Sequence, residues 1–151
     1  MKKLRIYLDT SVVSHLKHDD TPDKMNDTVK LWRQFKNGLY EAMISDVTLD
    51  ELAAAPESKA EELLGALQEI NYTVLEQSPA VQTLAHEYID SGALRQKSID
   101  DCVHLAFATI YECDCITSWN FKHIVNLKTM TEVNLVNVKT DIKKSKLFLQ
   151  R

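Results

Sequence analysis

Short apolar runs alternate with longer helical stretches along this chain, and that alternation decides the fold class. The first run, Leu4-Arg5-Ile6-Tyr7-Leu8, stops abruptly at Asp9-Thr10-Ser11. An apolar run bounded in this way reads as a buried strand, with Thr10 or Ser11 placed to cap a following helix. Ala42–Ser45, Tyr72–Leu75, Cys115–Ser118 and Glu132–Val138 repeat the pattern. Between them lie a short helix over Ser11–Lys17 and a longer one from Pro22 to about Tyr40. Thr21 is placed to cap the longer helix, and Met25, Val29, Trp32 and Phe35 are expected on its inner face. Asp46–Ala55 and Glu57–Ile70 follow, separated by Pro56, with Leu63, Leu64, Leu67 and Ile70 forming one face of the second. Ser78-Pro79 opens a helix through Ile89. Ser98 is placed to cap another over Ile99–Tyr111, so rich in Val, Leu, Ala and Phe that it is expected to be buried on more than one side. Phe121–Leu127 reads as a turn or short helix. Strands alternating with helices imply βαβ units, hence an α/β fold of three layers with a central, mainly parallel sheet flanked by helices.

A chain of 151 residues can build one domain with a proper core, here expected over residues 1–138. Residues 139–151 form a basic tail: five basic residues against one acid give a net +4, leaving −8 for the body of a chain whose total is −4. Such a tail can lie along a phosphate backbone or simply remain solvated. No apolar stretch reaches membrane-spanning length, and the basic start is followed by too short an apolar run for a signal peptide, so a cytoplasmic protein with no membrane partner is expected. Three cysteines, two of them in Cys113-Asp114-Cys115, fit neither a disulfide framework nor a zinc knuckle and read as reduced, buried residues. Three glycines make a phosphate-cradling loop implausible.

Three acids stand where a strand ends or a helix begins: Asp9 after the first strand, Glu51 one turn into the helix after Ser45, and Asp101 at the head of the apolar helix. A parallel sheet brings strand tips and helix starts to one edge, where ligands of open α/β folds bind. Carboxylates gathered at a buried mouth repel one another and resist desolvation. A hard divalent cation such as Mg²⁺ resolves both problems and can activate water at a phosphodiester. Each acid also has a purely structural reading, as cap, helix-dipole partner or exposed charge. Thr10, Ser11 and Ser118 beside the acids can hold a metal-bound water or a phosphate, or act as caps. His104 shares a helix face with Asp101 and reads as a satisfied core residue. Lys122 and His123 can meet a phosphate or form a surface cluster. Trp32 and Trp119 can each stack on a base; Trp32 fits a helix core stripe better, and Trp119, which borders the site, is the more open case.

Together these stretches resemble the motifs of PIN domains. Ile6-Tyr7-Leu8-Asp9-Thr10-Ser11 resembles the family's opening, and Ser45-Asp46-Val47-Thr48-Leu49-Asp50-Glu51-Leu52 its second motif. Asp101-Cys102-Val103-His104-Leu105-Ala106-Phe107-Ala108 is similar to the third, and Ser118-Trp119-Asn120-Phe121-Lys122-His123-Ile124 to the fourth. The resemblance spans Leu4 to Val138. It implies a PIN fold and a Mg²⁺- or Mn²⁺-dependent ribonuclease, at this size similar to the toxin of a VapC-type toxin–antitoxin pair, commonly a homodimer whose cognate antitoxin blocks the acidic site. It implies Asp9, Glu51 and Asp101 as the acidic, metal-holding core, with Asp101 rather than Asp100 in register, and Asn120 as an outer catalytic position. Thr10, Ser118 and Lys122 become candidates for contact with RNA. The fourth motif often ends in Asp. Asn120 keeps a carbonyl oxygen but removes a charge, so a second metal is expected to bind more weakly. The tail after Val138 also departs from the family pattern.

The expected function is therefore metal-dependent hydrolysis of RNA phosphodiester bonds by a translation-inhibiting toxin. Two other readings stay open: a non-catalytic PIN-like module binding RNA or protein, and a metal-dependent phosphatase acting on small phosphate esters.

Overall fold

The computed structural model describes residues 3–17, 20–92, 99–119 and 146–149, the last four through their backbone. Five strands form one sheet: β1 (Arg5–Leu8), β2 (Glu41–Ser45), β3 (Tyr72–Leu75), β4 (Cys115–Ser118) and β5 (Lys146–Leu149). Their order is β3-β2-β1-β4-β5, with every neighbouring pair parallel. The helices are α1 (Thr10–Ser14), α2 (Pro22–Lys36), α3 (Asp46–Ala53), α4 (Glu57–Leu67), α5 (Pro79–Asp90) and α6 (Ile99–Ile110), with a 3₁₀ turn at His15–Lys17.

The pleat sorts the strand residues between two cores. Ile6 is in register with Ala42 and Cys115, and these residues, with Leu8 and Ile44, pack against α1, α2 and α4. Tyr7 is in register with Met43 and Ile116, and this row packs against α5 and α6. Each such aliphatic side chain contributes about 1.5–3 kcal/mol by leaving water. The expectation for the Ala-rich helix holds: Cys102 through Thr109 of α6 are all buried. Tyr88 and Thr109 join their hydroxyls at 3.1 Å between α5 and α6, and the Trp32 indole donates to the Ala66 carbonyl at 3.1 Å, tying α2 to α4.

The inner face of α2 differs from the sequence expectation. Thr28, Leu31, Trp32 and Phe35 are buried, Met25 is half-buried and Val29 is 39% exposed. With 3.6 residues per turn, Val29 stands about 100° round the helix from Thr28, off the stripe that Leu31, Trp32 and Phe35 define. The helix also ends at Lys36 rather than near Tyr40, because Gly38 turns the chain with φ +74°. Thr21 occupies the N-cap position of α2 but makes no side-chain capping bond there. At α1 the cap is Asp9, not Thr10 or Ser11.

Lys146–Leu149, within the segment read as a basic tail, pairs in parallel with β4 as the sheet's edge. The charge of that segment masked the apolar Leu147-Phe148-Leu149, which suits a short strand. Ser98, the expected turn at Phe121–Leu127 and the expected strand Glu132–Val138 lie outside the described residues. Among the described residues, no helix is long and apolar enough to cross a membrane. Cys102, Cys113 and Cys115 are reduced and buried, as expected.

The chain winds from β1 outward to β3, then returns to place β4 on the other side of β1. The carboxyl ends of β1 and β4 thus flank the topological switch point, where such sheets open a crevice.

Candidate active site

Asp9 follows the last residue of β1 and turns the chain into α1, its backbone extended (φ −81°, ψ 170°). Its carboxylate is 2% exposed. Oδ1 accepts from the Ser11 amide at 2.8 Å and the Ser11 hydroxyl at 2.5 Å, and Oδ2 accepts from the Ser118 hydroxyl at 2.6 Å. Ser118 is the last residue of β4, so this contact bridges the switch point. The Ser11 hydroxyl also accepts from the Trp119 amide at 2.9 Å, which fixes the donor that faces Asp9. Three short donors compensate part of the desolvation of a buried carboxylate.

Glu51 projects from α3 toward α6. Its Oε1 accepts from the Thr10 hydroxyl at 2.8 Å and lies 2.9 Å from His104 Nε2. His104 Nδ1 lies 2.6 Å from the Tyr7 hydroxyl, which donates to Ser45 Oγ at 2.8 Å. Ser45 is the N-cap of α3 and accepts from the Thr48 amide at 3.0 Å. The hydrogen bond from His104 lowers the Glu51 pKa; desolvation opposes this, and the imidazole charge and Thr10 reinforce it. At His104, burial disfavours the charged ring, but the Glu51 hydrogen bond and the fields of Asp9, Glu51 and Asp101 together raise its pKa.

Asp101 lies in the first turn of α6, half-buried, whereas Asp100 is exposed. The Asp101 charge acts on His104 and reinforces the effect of burial on the Cys102 thiol, which is pushed up to about 12. The three sequence-selected acids, carried by the tip of β1, by α3 and by α6, therefore share one electrostatic neighbour. Thr10 meets Glu51 and Ser118 meets Asp9. Asn120 and Lys122 lie outside the described residues. Among the described residues, no three His, Cys, Asp or Glu side chains form a preassembled metal cage.

The PIN domain family model matches residues 6–120. The chain belongs to the PIN domain family. Its fold is similar to that of the Mycobacterium tuberculosis toxin VapC20, described as cleaving the sarcin–ricin loop: TM-score 0.61 and 15% identity, over 78% of this chain and 92% of that one. It is similar also to VapBC2 from Rickettsia felis, solved bound to a DNA fragment from its promoter, with TM-score 0.61 and 12% identity over 98% of this chain and 100% of that one. No curated protein matches the sequence.

In this PIN domain the groups around the switch point suit a hard cation. Asp9, Glu51 and Asp101 offer carboxylate oxygens, and Thr10, Ser11 and Ser118 offer hydroxyls. Mg²⁺ and Mn²⁺ prefer such donors, and Mg²⁺ in particular retains waters and needs only one or two protein carboxylates, so a closed cage is not required. A soft metal finds no thiolate at Cys102, because burial keeps that thiol protonated.

Sequence reasoning missed the hydrogen-bonded row behind the acids. Tyr7 sits inside an otherwise aliphatic strand, and that phenol among Ile and Leu is the signal that could have exposed the row, since a buried hydroxyl needs a partner. His104 is indeed a satisfied core residue, but its partner is a site acid. Trp119 is buried, with its indole N–H donating to Thr28 at 2.9 Å, the Lys24 ammonium 5.4 Å from the ring centroid and the His15 ring against it at 5.7 Å. Its ring is occupied by the protein, which removes the open stacking surface considered from the sequence.

Proposed function

We propose that this PIN domain is a Mg²⁺- or Mn²⁺-dependent endoribonuclease, the toxin of a toxin–antitoxin pair, acting in the cytoplasm as a homodimer and restrained by a cognate antitoxin. The feature that carries the reading is electrostatic and geometric together: Glu51 meets His104 at 2.9 Å, and the charges of Asp9 and Asp101, from two other elements far apart in sequence, act on the same imidazole. The fold shared with VapC20 and VapBC2 supports it, and the sarcin–ricin loop cleavage described for VapC20 makes a structured RNA loop the natural first substrate.

In this reading Asp9, Glu51 and Asp101 hold the cation directly or through water, and Asn120 serves as an outer ligand. The bound metal supplies Lewis acidity toward the phosphodiester and an acidified water. The chain's own groups do the positioning. Ser11 and Ser118 fix both oxygens of Asp9, and Thr10 and His104 fix one oxygen of Glu51. Thr10, half-buried beside Glu51, is the candidate contact for a phosphate, Ser118 acts through Asp9 from its buried position, and Lys122 is the candidate cation for the RNA backbone.

The test is cleavage of a labelled RNA stem-loop by the purified protein. We expect cleavage with Mg²⁺ or Mn²⁺, none with EDTA, and none by Asp9→Asn. Cleavage that survives both EDTA and Asp9→Asn refutes the proposal. Turnover of a small phosphate ester with RNA left intact shifts the reading to a phosphatase, and neither activity at millimolar metal leaves a binding module.

A further inference from the structure

His104 lies mid-helix in α6, 3% exposed, between residues that are small or apolar. A buried imidazole needs partners for both nitrogens. Nε2 faces Glu51 Oε1 at 2.9 Å, and Nδ1 faces the Tyr7 hydroxyl at 2.6 Å. An ionised carboxylate only accepts, so Nε2 carries a proton whichever way the Tyr7 hydroxyl is turned. Tyr7 is itself immobilised: its ring lies 6.3 Å from that of Phe107 at an interplanar angle of 17°, and its hydroxyl is bound to Ser45. Thr10 donates to the same Oε1 at 2.8 Å. Two fixed donors thus converge on one oxygen of Glu51, while among the described residues no hydrogen bond engages Oε2.

We propose that His104, braced by Tyr7, is a positioning residue that fixes the Glu51 carboxylate through Oε1 and leaves Oε2 to the cation. This rests on the nuclease reading above and deepens it. His104 touches neither metal nor RNA; it acts through Glu51. Side chains that orient a metal-binding carboxylate in this way typically change metal affinity 10- to 100-fold when removed.

The experiment is Mn²⁺ titration followed by electron paramagnetic resonance, on wild type, His104→Leu, His104→Gln and Tyr7→Phe, with melting temperature measured for each. His104→Leu is expected to weaken Mn²⁺ about 10- to 100-fold. His104→Gln, whose amide can donate to Oε1, is expected to recover most of the affinity. Tyr7→Phe, which keeps the ring and removes only the hydroxyl, is expected to weaken Mn²⁺ severalfold while the protein stays folded. If His104→Leu and Tyr7→Phe are folded and bind Mn²⁺ as wild type does, the proposal is wrong and the nuclease reading stands. If affinity falls in step with melting temperature and Gln restores neither, His104 is a packing residue only, which also overturns it. If wild type neither binds Mn²⁺ nor cleaves RNA, the site reading fails and takes the proposal with it.

Discussion

Replacing Asp9 separates its two roles, because Asn and Ala remove different things. Asp9→Asn keeps an acceptor for the Ser11 amide and hydroxyl, and Asn is as good an N-cap as Asp. The new amide group faces Ser118, whose hydroxyl can reverse and accept. The fold should therefore lose at most about 1 kcal/mol. Asp9→Ala removes the cap, worth about 1 kcal/mol, and strips the shared acceptor from the Ser11 and Ser118 hydroxyls; these lie 3.3 Å apart and can pair, so the loss is that of about one donor, about 1–3 kcal/mol. The sum, about 2–4 kcal/mol, is a large share of the about 5–15 kcal/mol that holds a domain together. For a chain of this length it lowers the melting temperature by roughly 10 °C, at about 2–4 °C per kcal/mol. On the proposed nuclease reading both variants lose metal-dependent cleavage, since both lose the charge assigned there to holding the cation. The assays are thermal melting by circular dichroism and cleavage of a labelled RNA stem-loop. If Asp9→Asn melts as low as Asp9→Ala, the hydrogen-bond account of the seam between β1 and β4 is wrong. If it cleaves at the wild-type rate, the charge of Asp9 has no part in the chemistry.

The corrected face of α2 predicts that Leu31→Ala costs about 2–5 kcal/mol by denaturant titration, whereas Val29→Ala stays within about 0.5 kcal/mol; equal costs would restore the sequence expectation. The lowered pKa of Glu51 stabilises the fold above the ordinary carboxyl pKa, an effect lost as pH falls through the native value. The raised pKa of His104 stabilises below the ordinary imidazole pKa, an effect lost as pH rises through the native value. Their joint contribution should be complete between about pH 4.3 and 6.5, and a wild-type melting profile no different from that of His104→Leu across that range and its flanks would refute the coupling. The thiols of Cys102 and Cys113, both pushed up to about 12 by burial, should react with a thiol reagent at pH 8 only after denaturation; prompt native labelling would contradict their burial.

Much of the fold was legible because local pattern and tertiary role agree in it. Tyr72–Leu75 and Cys115–Ser118 appear as strands with the expected bounds, and Cys115–Ser118 and Cys102–Thr109 are buried throughout, because apolar runs this dense have no other way to leave water, whereas Tyr72–Leu75 leaves Thr73 and Val74 exposed. Two failures have one cause. Val29 and Thr28 differ in hydrophobicity in the wrong sense for their burial, and β5 hides among lysines. In both, side-chain polarity was taken as a guide to position where helix phase and strand pairing decide. Thr28 is buried because its hydroxyl serves twice, donating to the Lys24 carbonyl at 2.7 Å and accepting from Trp119 at 2.9 Å.

The candidate acids stand out in the sequence and the groups that bond to them do not, and the reason is physical. An acid at a strand tip is conspicuous in sequence because it interrupts an apolar run. The groups that steady it are ordinary residues whose partners lie far along the chain: Ser118 is 109 residues from Asp9, His104 is 53 from Glu51, and Tyr7 is 97 from His104. Only the crossing of the chain from β3 back to β4 makes them neighbours. Once that crossing is given, the partners follow from bookkeeping of donors and acceptors alone. Asp9 at the tip of β1 needs donors, and Ser118 at the tip of β4 is in reach. Tyr7, facing α6, needs an acceptor or donor, and His104 supplies it. Oε1 of Glu51 then satisfies the far side of the imidazole, so one contact both completes the core and holds a candidate acid beside the switch point.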